Sequence, residues 1–384
     1  MSHSRILLIL TESLANPVVR SQALRHAAVM HGLGIAEFEI AALGLGTDMH
    51  RANLLALEAA EQAAGCRIRP LEGLRPAMPG AARHNAGRLL ARHGGGSEAF
   101  GAIHARTDYA ALVALPLARS LGVPLIWDCR GDAVAETEYG GKGPAAALRR
   151  LVLRRRQVEL VRRADRAIFV SRPLRAMLAP PWPAEKPAII APCAAEGELF
   201  RPDAALRDAT RARLGLAPAT PLLLYAGGLA PYQHLPETIA HFRALHAARP
   251  EARLLMLTPD RDAARAMAGA DPAILVDSVA NNAVNAYLNA ADAAYLLRAA
   301  DRTNRVASPT KFAEYGLAGL PIIMSRAIED CAAAADEAGN RVDPAGGWSA
   351  LDQPRPPRES IAAWFRSRYT REGQAGLYAR IYAP

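Results

Sequence analysis

Short runs of apolar residues recur along the chain, and each is separated from the next by a stretch with helical periodicity. A run of four to eight apolar residues is typical of a buried strand, whereas helices need longer segments. Strands that alternate with helices favour parallel sheets covered by helices on both faces, which is an α/β class of fold. The pattern predicts strands at 6–10, 102–105, 123–128, 167–171 and 188–191, and a second set at 222–226, 253–257, 273–277, 293–297 and 321–325.

The two sets of strands predict two doubly wound domains. Segment 191–203 lacks a clear period and marks the boundary between them. We expect a first domain at 1–197 and a second domain at 198–357. The last segment, 358–384, carries apolar residues at helical spacing, so we expect a helix there that packs back on the first domain.

Composition indicates a globular protein, because 51% of the 384 residues are hydrophobic and 22% are charged. The chain runs directly into its first apolar strand, so we expect no signal segment. The longest apolar window, 109–127, is interrupted by Arg119 and two prolines and does not predict a membrane span. Four widely spaced cysteines form no metal or redox pattern and fit a reducing compartment, so we expect a cytoplasmic protein.

The strongest charge feature is segment 147–166, in which eight arginines alternate with leucines and valines. One interpretation is a solvated helix whose apolar side faces the core. The other is a patch that binds an anionic membrane surface, at the inner membrane, or a pyrophosphate-bearing acceptor. Nucleic acid is not expected as a partner despite the net charge of +9, because no nucleic-acid motif accompanies the arginines.

One short segment, "SPTKFAEYGLAGLPII" at 308–323, carries clear signals for the start and the end of a helix. Ser308 suits the N-cap, and Pro309 suits the first helical position because its missing N–H would go unpaired there. Gly319 is typical of the residue that follows the last turn. The segment therefore predicts a helix at 309–318, followed by a short buried strand.

Lys311 and Glu314 lie three residues apart on one face of this helix. A lysine in the first turn opposes the helix dipole unless an anion lies beside it. Lysine is also rare in this chain, since only three of its 46 basic residues are lysines. With the hydroxyls of Ser308 and Thr310, Lys311 can form an anion site, and Glu314 can accept hydrogen bonds from a ribose. The alternative is an ordinary capped helix with an exposed ion pair.

Other candidate residues lie where predicted strands end. Gly227 and Gly228 follow the strand at 222–226, where they either let a ligand approach the backbone or only form a tight turn. His104 lies near the end of its strand, and it is as readily a non-catalytic buried histidine as a functional one. Asp128 and Arg130 either form a structural ion pair or bind a substrate.

A pair of acidic residues, Asp260 and Asp262, invites interpretation as a metal site. We reject that interpretation, because Asp260 follows a strand and precedes a helical stretch, where it suits a helix cap.

Several of these motifs together resemble those of retaining glycosyltransferases of the family 4 type, which have the GT-B fold. The resemblance covers nearly the whole chain. Segment 308–323 resembles the donor-site signature of that family, and "WDCRGD" and "IHARTDYAA" resemble a subgroup that makes bacterial cell-surface polysaccharide. Further similar segments are the glycine loop "YAGGLAPYQHLPETI", in which His234 stands where glycine is usual, together with 157–178 and 189–203.

The resemblance implies two Rossmann-like domains facing a cleft, with a nucleotide-diphosphate sugar in the second domain and a saccharide or lipid-linked acceptor in the first. It implies that no metal and no cofactor is needed, because Lys311 binds the diphosphate. Catalysis is then expected to involve Lys311, Asp128 and His104. The implied donor-binding residues are Gly227, Gly228, Ser308, Thr310, Lys311 and Glu314. We expect Asn304 and Arg298 to contribute to donor binding where the chain departs from the family pattern, and Arg106 and Arg130 to lie on the acceptor side.

One position departs from the family pattern. The family often carries a glutamate eight residues before Glu314, where this chain has Val306. Asn304 or Arg305 is then expected to contact the transferred sugar instead. Two other functions remain open on the same fold, a nucleotide-sugar 2-epimerase and a non-catalytic subunit that binds nucleotide sugars.

Overall fold

A computed structural model of the chain describes residues 4–95, 100–141 and 143–384. The chain divides into two compact units. The first is formed by Met1–Pro192 together with Arg371–Pro384, and the second by Cys193–Thr370. The first unit is therefore built from two separate segments of the sequence.

The first unit contains a seven-stranded sheet with the strand order β3-β2-β1-β4-β5-β6-β7. All of its pairings are parallel. The central strands are buried apolar runs, as expected for a parallel sheet with both faces covered. The strands are β1 (Ser4–Leu10), β2 (Ala36–Leu45), β3 (Ile68–Gly73), β4 (Ala102–Arg106), β5 (Leu125–Cys129), β6 (Arg166–Phe169) and β7 (Ala188–Ile190).

The second unit contains a six-stranded sheet with the order β10-β9-β8-β11-β12-β13, and its pairings are also parallel. Its strands are β8 (Leu222–Ala226), β9 (Arg253–Leu257), β10 (Ile274–Asp277), β11 (Ala293–Tyr295), β12 (Ile322–Ile323) and β13 (Arg341–Val342).

Helices connect the strands in both units. None of those in the described part of the chain has both the length and the apolar character needed to cross a bilayer. The α-helices of the first unit are α1 (Pro17–Val19), α2 (Arg25–Gly32), α3 (Thr47–Leu55), α4 (Leu57–Ala64), α5 (Ala81–His93), α6 (Asp108–Leu121), α7 (Ala133–Glu136), α8 (Pro144–Arg163) and α9 (Arg172–Ala176). The later α-helices are α10 (Ala204–Arg213), α11 (Leu235–Ala248), α12 (Arg261–Ala268), α13 (Val284–Ala290), α14 (Arg302–Arg305), α15 (Thr310–Leu317), α16 (Glu329–Ala338), α17 (Gly347–Leu351), α18 (Arg358–Tyr369) and α19 (Ala375–Tyr382).

The prediction of two doubly wound parallel sheets is confirmed, and each of the ten predicted strands is present with its ends shifted by at most two residues. Sequence analysis missed β2, β3 and β13. The interior of β2 carries Glu39, whose buried carboxylate pairs with Arg5 on β1 and Arg69 on β3. The edge strand β3 contains Pro70. A charge and a proline obscure the apolar pattern on which strand prediction depends.

Helix α15 ends as predicted but begins differently. At its end the N–H of Leu320 bonds to the carbonyl of Tyr315, and Gly319 has a φ of 71°. This is the Schellman arrangement expected from the sequence. At its start, however, Pro309 occupies the N-cap, and no side chain caps the helix. The hydroxyl of Ser308 instead accepts a hydrogen bond from the N–H of Cys193, at 2.9 Å, so the predicted cap is wrong.

Segment 358–384 differs from the single helix that we expected. It forms two helices, and α18 belongs to the second unit while α19 belongs to the first. Helix α18 packs on α15 so closely that a Cβ on Gly316 would overlap the ring of Phe365. This contact holds the helix that carries Lys311 against the core of the second unit.

Candidate functional site

Each sheet has a topological switch point, a pair of neighbouring strands whose following connections lead to opposite halves of the sheet. In the first sheet this point lies between β1 and β4, and in the second it lies between β8 and β11. Ligands of doubly wound folds bind beyond the carboxyl ends of the strands at such points. The residues that follow these four strands are therefore the expected ligand-binding residues.

In the second unit, Lys311 and Gly227 meet beyond the carboxyl end of β8. The ammonium of Lys311 lies so close to the backbone of Gly227 that a Cβ there would overlap Nζ and Cε. Gly227 also has a φ of 142°, which favours glycine. The amide oxygen of Gln233 accepts a hydrogen bond from Nζ at 2.7 Å, and Nζ lies 4.7 Å from the centre of the Tyr225 ring. The predicted glycine loop and the predicted lysine thus form one site.

The charge of Lys311 is poorly compensated in this site. Burial, assisted by the positive charge of Arg298, lowers the pKa of Lys311 to about 7. Burial also raises the pKa of Glu314 to about 7, and Lys311 only partly opposes that shift. The two groups are therefore not the exposed ion pair of the alternative interpretation. A lysine and a glutamate that both titrate near neutral pH are typical of functional sites.

A second cation, Arg298, lies three residues beyond the end of β11. Its guanidinium is 5.4 Å from the centre of the Tyr232 ring and donates to the Tyr232 carbonyl at 3.2 Å. The side chain is buried, and burial lowers its pKa. Its Nε has no hydrogen-bond partner among the residues that the structure describes. An unsatisfied buried N–H is costly, so this one is available to an anionic ligand.

The remaining predicted donor-side residues fall into two groups. Gly228 and Thr310 lie beside the Lys311 site in sequence, and the Gly228 carbonyl accepts from the hydroxyl of Tyr225 at 2.5 Å. Asn304 is buried, and its amide donates to Asp301 at 3.0 Å. Asn304 is thus engaged within its own turn, and its predicted contact with a sugar stays a prediction.

Two positions that depart from the family motif have clear local roles. Val306 is buried with an exposed fraction of 1%, so it packs in the interior of the unit. His234 has a φ of 51°, the left-handed conformation that glycine adopts readily. The backbone of the loop therefore keeps a glycine-like shape although the residue has changed.

In the first unit, His104, Asp128 and Arg130 come together at the carboxyl ends of β4 and β5. The Nε2 atom of His104 lies 3.3 Å from Oδ2 of Asp128, and Arg130 pairs with Oδ1 at 3.2 Å. Burial alone would raise the pKa of Asp128, but Arg130 and His104 overcome this effect and hold the pKa below its usual range. Asp128 is therefore a buried carboxylate kept ionised by its partners.

His104 is held from its other side by the last helix. Its Nδ1 lies 2.8 Å from the hydroxyl of Tyr382, and that hydroxyl lies 2.8 Å from Nε2 of His26. All three side chains are buried. Nε2 of His104 faces the Asp128 carboxylate, which can only accept, although it makes no well-aligned hydrogen bond to it. With the proton assigned to Nε2 on that ground, Tyr382 donates to Nδ1 and His26 donates to Tyr382. Burial, with His104 and Arg371 adding to it, lowers the pKa of His26 well below its usual value, so His26 is neutral in this chain of hydrogen bonds.

Sequence analysis missed two residues at the switch point of the first sheet. The carboxylate of Glu12 pairs with the buried guanidinium of Arg106. Thr107 has a φ of 84°, which is strained for a β-branched residue, and its hydroxyl lies 3.3 Å from that of Thr11. Strain of this kind clusters at functional sites. Glu12 comes shortly after the predicted strand 6–10, and that position was the available signal.

The acidic pair that we rejected as a metal site lies at the start of α12. Asp260 stands at the N-cap of α12, although its side chain makes no capping bond, and Asp262 lies 3.6 Å from Arg265. In the part of the chain that the structure describes, no three His, Cys, Asp or Glu residues are grouped as metal ligands would be.

Comparison with solved structures identifies the fold. Sucrose-phosphate synthase from Thermosynechococcus elongatus has a TM-score of 0.65 and 15% identity, with 99% of this chain and 98% of that chain covered. A glycosyltransferase from Rickettsia africae has a TM-score of 0.69 and 10% identity, with 100% and 98% covered. HepE from Anabaena, in complex with UDP-glucose, has a TM-score of 0.67 and 11% identity, with 98% and 99% covered. The chain thus has the GT-B fold.

No protein-family model and no curated protein matches the sequence.

The hydrogen bonds of Tyr382 predict the effect of removing its hydroxyl. In Tyr382→Phe, Nδ1 of His104 stays buried without its donor, so we expect the first unit to lose about 1–3 kcal/mol of unfolding free energy. Urea unfolding followed by circular dichroism measures this loss. Tyr287→Phe is the control, because its hydroxyl makes one bond to the partly exposed Asp277. If both variants lose the same small amount, the buried network does not stabilise the first unit.

Proposed function

We propose that the chain is a glycosyltransferase that moves a sugar from a nucleotide-diphosphate sugar to an acceptor hydroxyl with retention of configuration, in the synthesis of bacterial surface polysaccharide or glycolipid. The observation that carries the proposal is the convergence of Lys311 and Gly227 at the switch point of the second sheet. Support also comes from the fold, since HepE binds UDP-glucose on the same fold. The retaining course follows from the resemblance of segment 308–323 to the family 4 donor signature.

The site has the groups that a leaving diphosphate needs. Lys311 supplies a point charge, Arg298 supplies a guanidinium with an unsatisfied N–H, and the start of α15 supplies backbone N–H groups. These cations take the role that a divalent metal has in other transferases, so we propose that the reaction needs no metal. Glu314 is assigned to the ribose, as the resemblance implies. Activity that EDTA abolishes and Mn²⁺ restores would contradict the metal-free proposal.

The reaction then requires only bond exchange at the sugar carbon. The bond from that carbon to the diphosphate oxygen breaks, and the diphosphate leaves with the electron pair. The acceptor oxygen forms the new bond on the same face, and its proton passes to the departing phosphate. We assign His104 and Asp128 to the acceptor side of the reaction, with Arg106 and Arg130 beside them. This assignment stays a prediction, because both nitrogens of His104 face protein groups.

Removal of the Lys311 ammonium is expected to abolish most of the activity. The charge on the leaving diphosphate grows toward the transition state, so Lys311→Ala should lower kcat by about 10²–10³. Lys311→Arg should restore little, because a planar guanidinium does not fit a space bounded by Gly227 and Tyr225. Glu314→Ala should mainly raise KM for the donor, because a ribose contact is similar in the ground and transition states.

Steady-state kinetics with a labelled nucleotide sugar tests these three variants, and circular dichroism confirms that they fold. Lys311→Ala with nearly unchanged turnover in a folded protein would exclude Lys311 from the donor site.

The lowered pKa of Lys311 predicts how nucleotide binding depends on pH. A diphosphate binds the protonated lysine, whose pKa in the free protein is about 7. The affinity for UDP should therefore fall as the pH rises above about 7, by up to about tenfold per unit, and binding should take up a proton. Calorimetry in buffers with different ionisation enthalpies measures both effects. Lys311→Arg should remove the dependence, since arginine stays charged, whereas Glu314→Gln should keep it. If the affinity for UDP depends on pH equally in the wild type and in Lys311→Arg, another group takes up the proton.

Two alternative functions use the same donor site. A Listeria monocytogenes structure assigned as a UDP-N-acetylglucosamine 2-epimerase matches with a TM-score of 0.53 and 14% identity, with 98% of this chain and 94% of that chain covered. Val306 in place of the usual glutamate is the observation that favours a non-catalytic binding subunit. Incubation with labelled nucleotide sugars separates the three functions by their products: transferred or hydrolysed sugar, epimerised donor, or bound donor alone.

We also propose that α8 attaches the protein to an anionic membrane. Only Gln157, Leu160 and Val161 of this helix are buried. Leu148, Leu151 and Val152 have exposed fractions of 62%, 46% and 37%, and their spacing places them on one face. Further along, a shallow cleft of about 390 Å³ is lined mainly by arginines, namely Arg154, Arg155, Arg162 and Arg163. Exposed aliphatic residues beside arginines match the acyl and phosphate layers of an anionic bilayer.

Vesicle binding tests this attachment. Each arginine near an anionic surface contributes about 1 kcal/mol, so Arg154→Gln with Arg155→Gln should weaken binding to phosphatidylglycerol vesicles by about tenfold or more at low salt. Arg83→Gln with Arg92→Gln removes the same charge from the exposed side of α5 and is the matched control. The proposal would be contradicted if the two double variants co-sediment with vesicles equally well. It would also be contradicted if co-sedimentation does not change with the content of anionic lipid.

A further inference from the structure

The first unit contains a cavity that none of the sites above uses. It has a volume of about 770 Å³ and lies beyond the carboxyl ends of β2 and β3, between the first turn of α3 and helix α5. Its volume is within the range of about 300–1,000 Å³ typical of small-molecule sites. We refer to it as the β2–β3 pocket. Its polar lining consists of Thr47, Asp48, Glu72, Arg75, His84 and Arg88.

Short backbone contacts fix the shape of the β2–β3 pocket. The N–H of Gly46 bonds to the carbonyl of Gly73 at 2.7 Å, which ties the ends of the two strands together. Gly46 has a φ of 100°, which favours glycine, and a Cβ there would lie 2.9 Å from Nε of Arg75, so the guanidinium would have to move away from the strand end. The buried Asn85 holds both the N–H and the carbonyl of Leu74, at 2.8 and 2.9 Å. The pocket is therefore formed before any ligand arrives.

The two walls of the β2–β3 pocket carry opposite charges. On one side, Glu72 accepts a hydrogen bond from the Thr47 hydroxyl at 3.0 Å, and Asp48 pairs with Arg75 at 3.3 Å. On the other side, His84 and Arg88 are one turn apart on α5. Their side chains form no hydrogen bond or ion pair with any residue in 4–95, 100–141 or 143–384. The α5 wall thus offers a guanidinium and an imidazole that protein groups leave unengaged.

This distribution of groups fits one kind of ligand. Carboxylates such as Glu72 accept hydrogen bonds from sugar hydroxyls, and Leu74 and Met78 supply an apolar surface for the carbon face of a ring. A guanidinium binds a carboxylate or a phosphate with two parallel hydrogen bonds. A neutral sugar would leave Arg88 without a partner, whereas a sugar with an anionic substituent would engage both walls at once.

We propose that the β2–β3 pocket binds an anionic sugar unit of the acceptor, a ring that carries a carboxylate or a phosphate. This inference rests on the proposed glycosyltransferase function, because only a transferase has an acceptor substrate. Parallel strands end at one edge, and neighbouring strands are about 4.8 Å apart. The pocket therefore lies about two strand spacings, ~10 Å, from the switch point between β1 and β4. A short saccharide can extend from one to the other along the same edge.

Ligand-observed NMR titration of the full chain tests the proposal, with glucuronate, glucose 6-phosphate and glucose as probes. We expect one or both anionic sugars to bind and glucose to bind at least about tenfold more weakly. Arg88→Ala should weaken the binding of the anionic sugars by about tenfold, since a hydrogen bond to a charged group is lost. Arg83→Ala, which removes the same charge from α5 outside the pocket, should leave binding unchanged.

The outcomes separate this inference from the proposed function. Binding of glucuronate alone identifies a carboxylate ligand, and binding of glucose 6-phosphate alone identifies a phosphate ligand. Glucose that binds as well as the anionic sugars, or equal binding in Arg88→Ala and Arg83→Ala, overturns the inference. UDP binding in the same samples is expected to depend on Lys311 and not on Arg88. If UDP does not bind but Arg88→Ala still weakens the binding of anionic sugars, only the proposed transferase function is contradicted. Arg88 is exposed, and circular dichroism checks that its variant folds.

Discussion

Parallel pairing is the constraint on which the rest of the structure depends. All strand pairs in the two described sheets are parallel, so every strand in a sheet delivers its carboxyl end to the same edge. Each return to that edge needs a helical crossover, and the change of direction between β1 and β4, and between β8 and β11, opens a space there. The charged residues that follow these strands are brought together by topology, although they are far apart in sequence.

At the switch point between β8 and β11, the ammonium of Lys311 lies in an environment that disfavours its charge. Burial next to Arg298 makes the protonated form of Lys311 less stable than it would be in water. The missing side chain at Gly227 is what lets the ammonium lie against the backbone, where a ligand phosphate can also approach. In the donor site that we propose, a bound diphosphate would stabilise the protonated lysine again. Selectivity for an anion and uptake of a proton would then have the same physical origin.

The sequence was sufficient where local chemistry decides structure. Strand positions followed from apolar runs, and the end of α15 followed from Gly319 and its neighbours, because a Schellman turn is settled within six residues. The sequence was insufficient where a residue far away in the chain determines which hydrogen bond a side chain makes. Ser308 looked like a helix cap, but its hydroxyl bonds to Cys193, which lies 115 residues earlier. The triad of His26, His104 and Tyr382 has even larger separations, and no period or motif links such positions.

The divided first unit has a consequence for synthesis. Helix α19 contributes Tyr378, Ile381 and Tyr382 to the same core cluster as β1 and α2, yet it is made only after the whole of the second unit. Residues 193–370 therefore leave the ribosome, and can complete their own sheet, while the first unit still lacks part of its interior. Nascent domains usually fold in order from the amino end. Here the unit that begins first can be completed only after the second unit has been made, so its partly open core must be kept from aggregating until α19 has been translated.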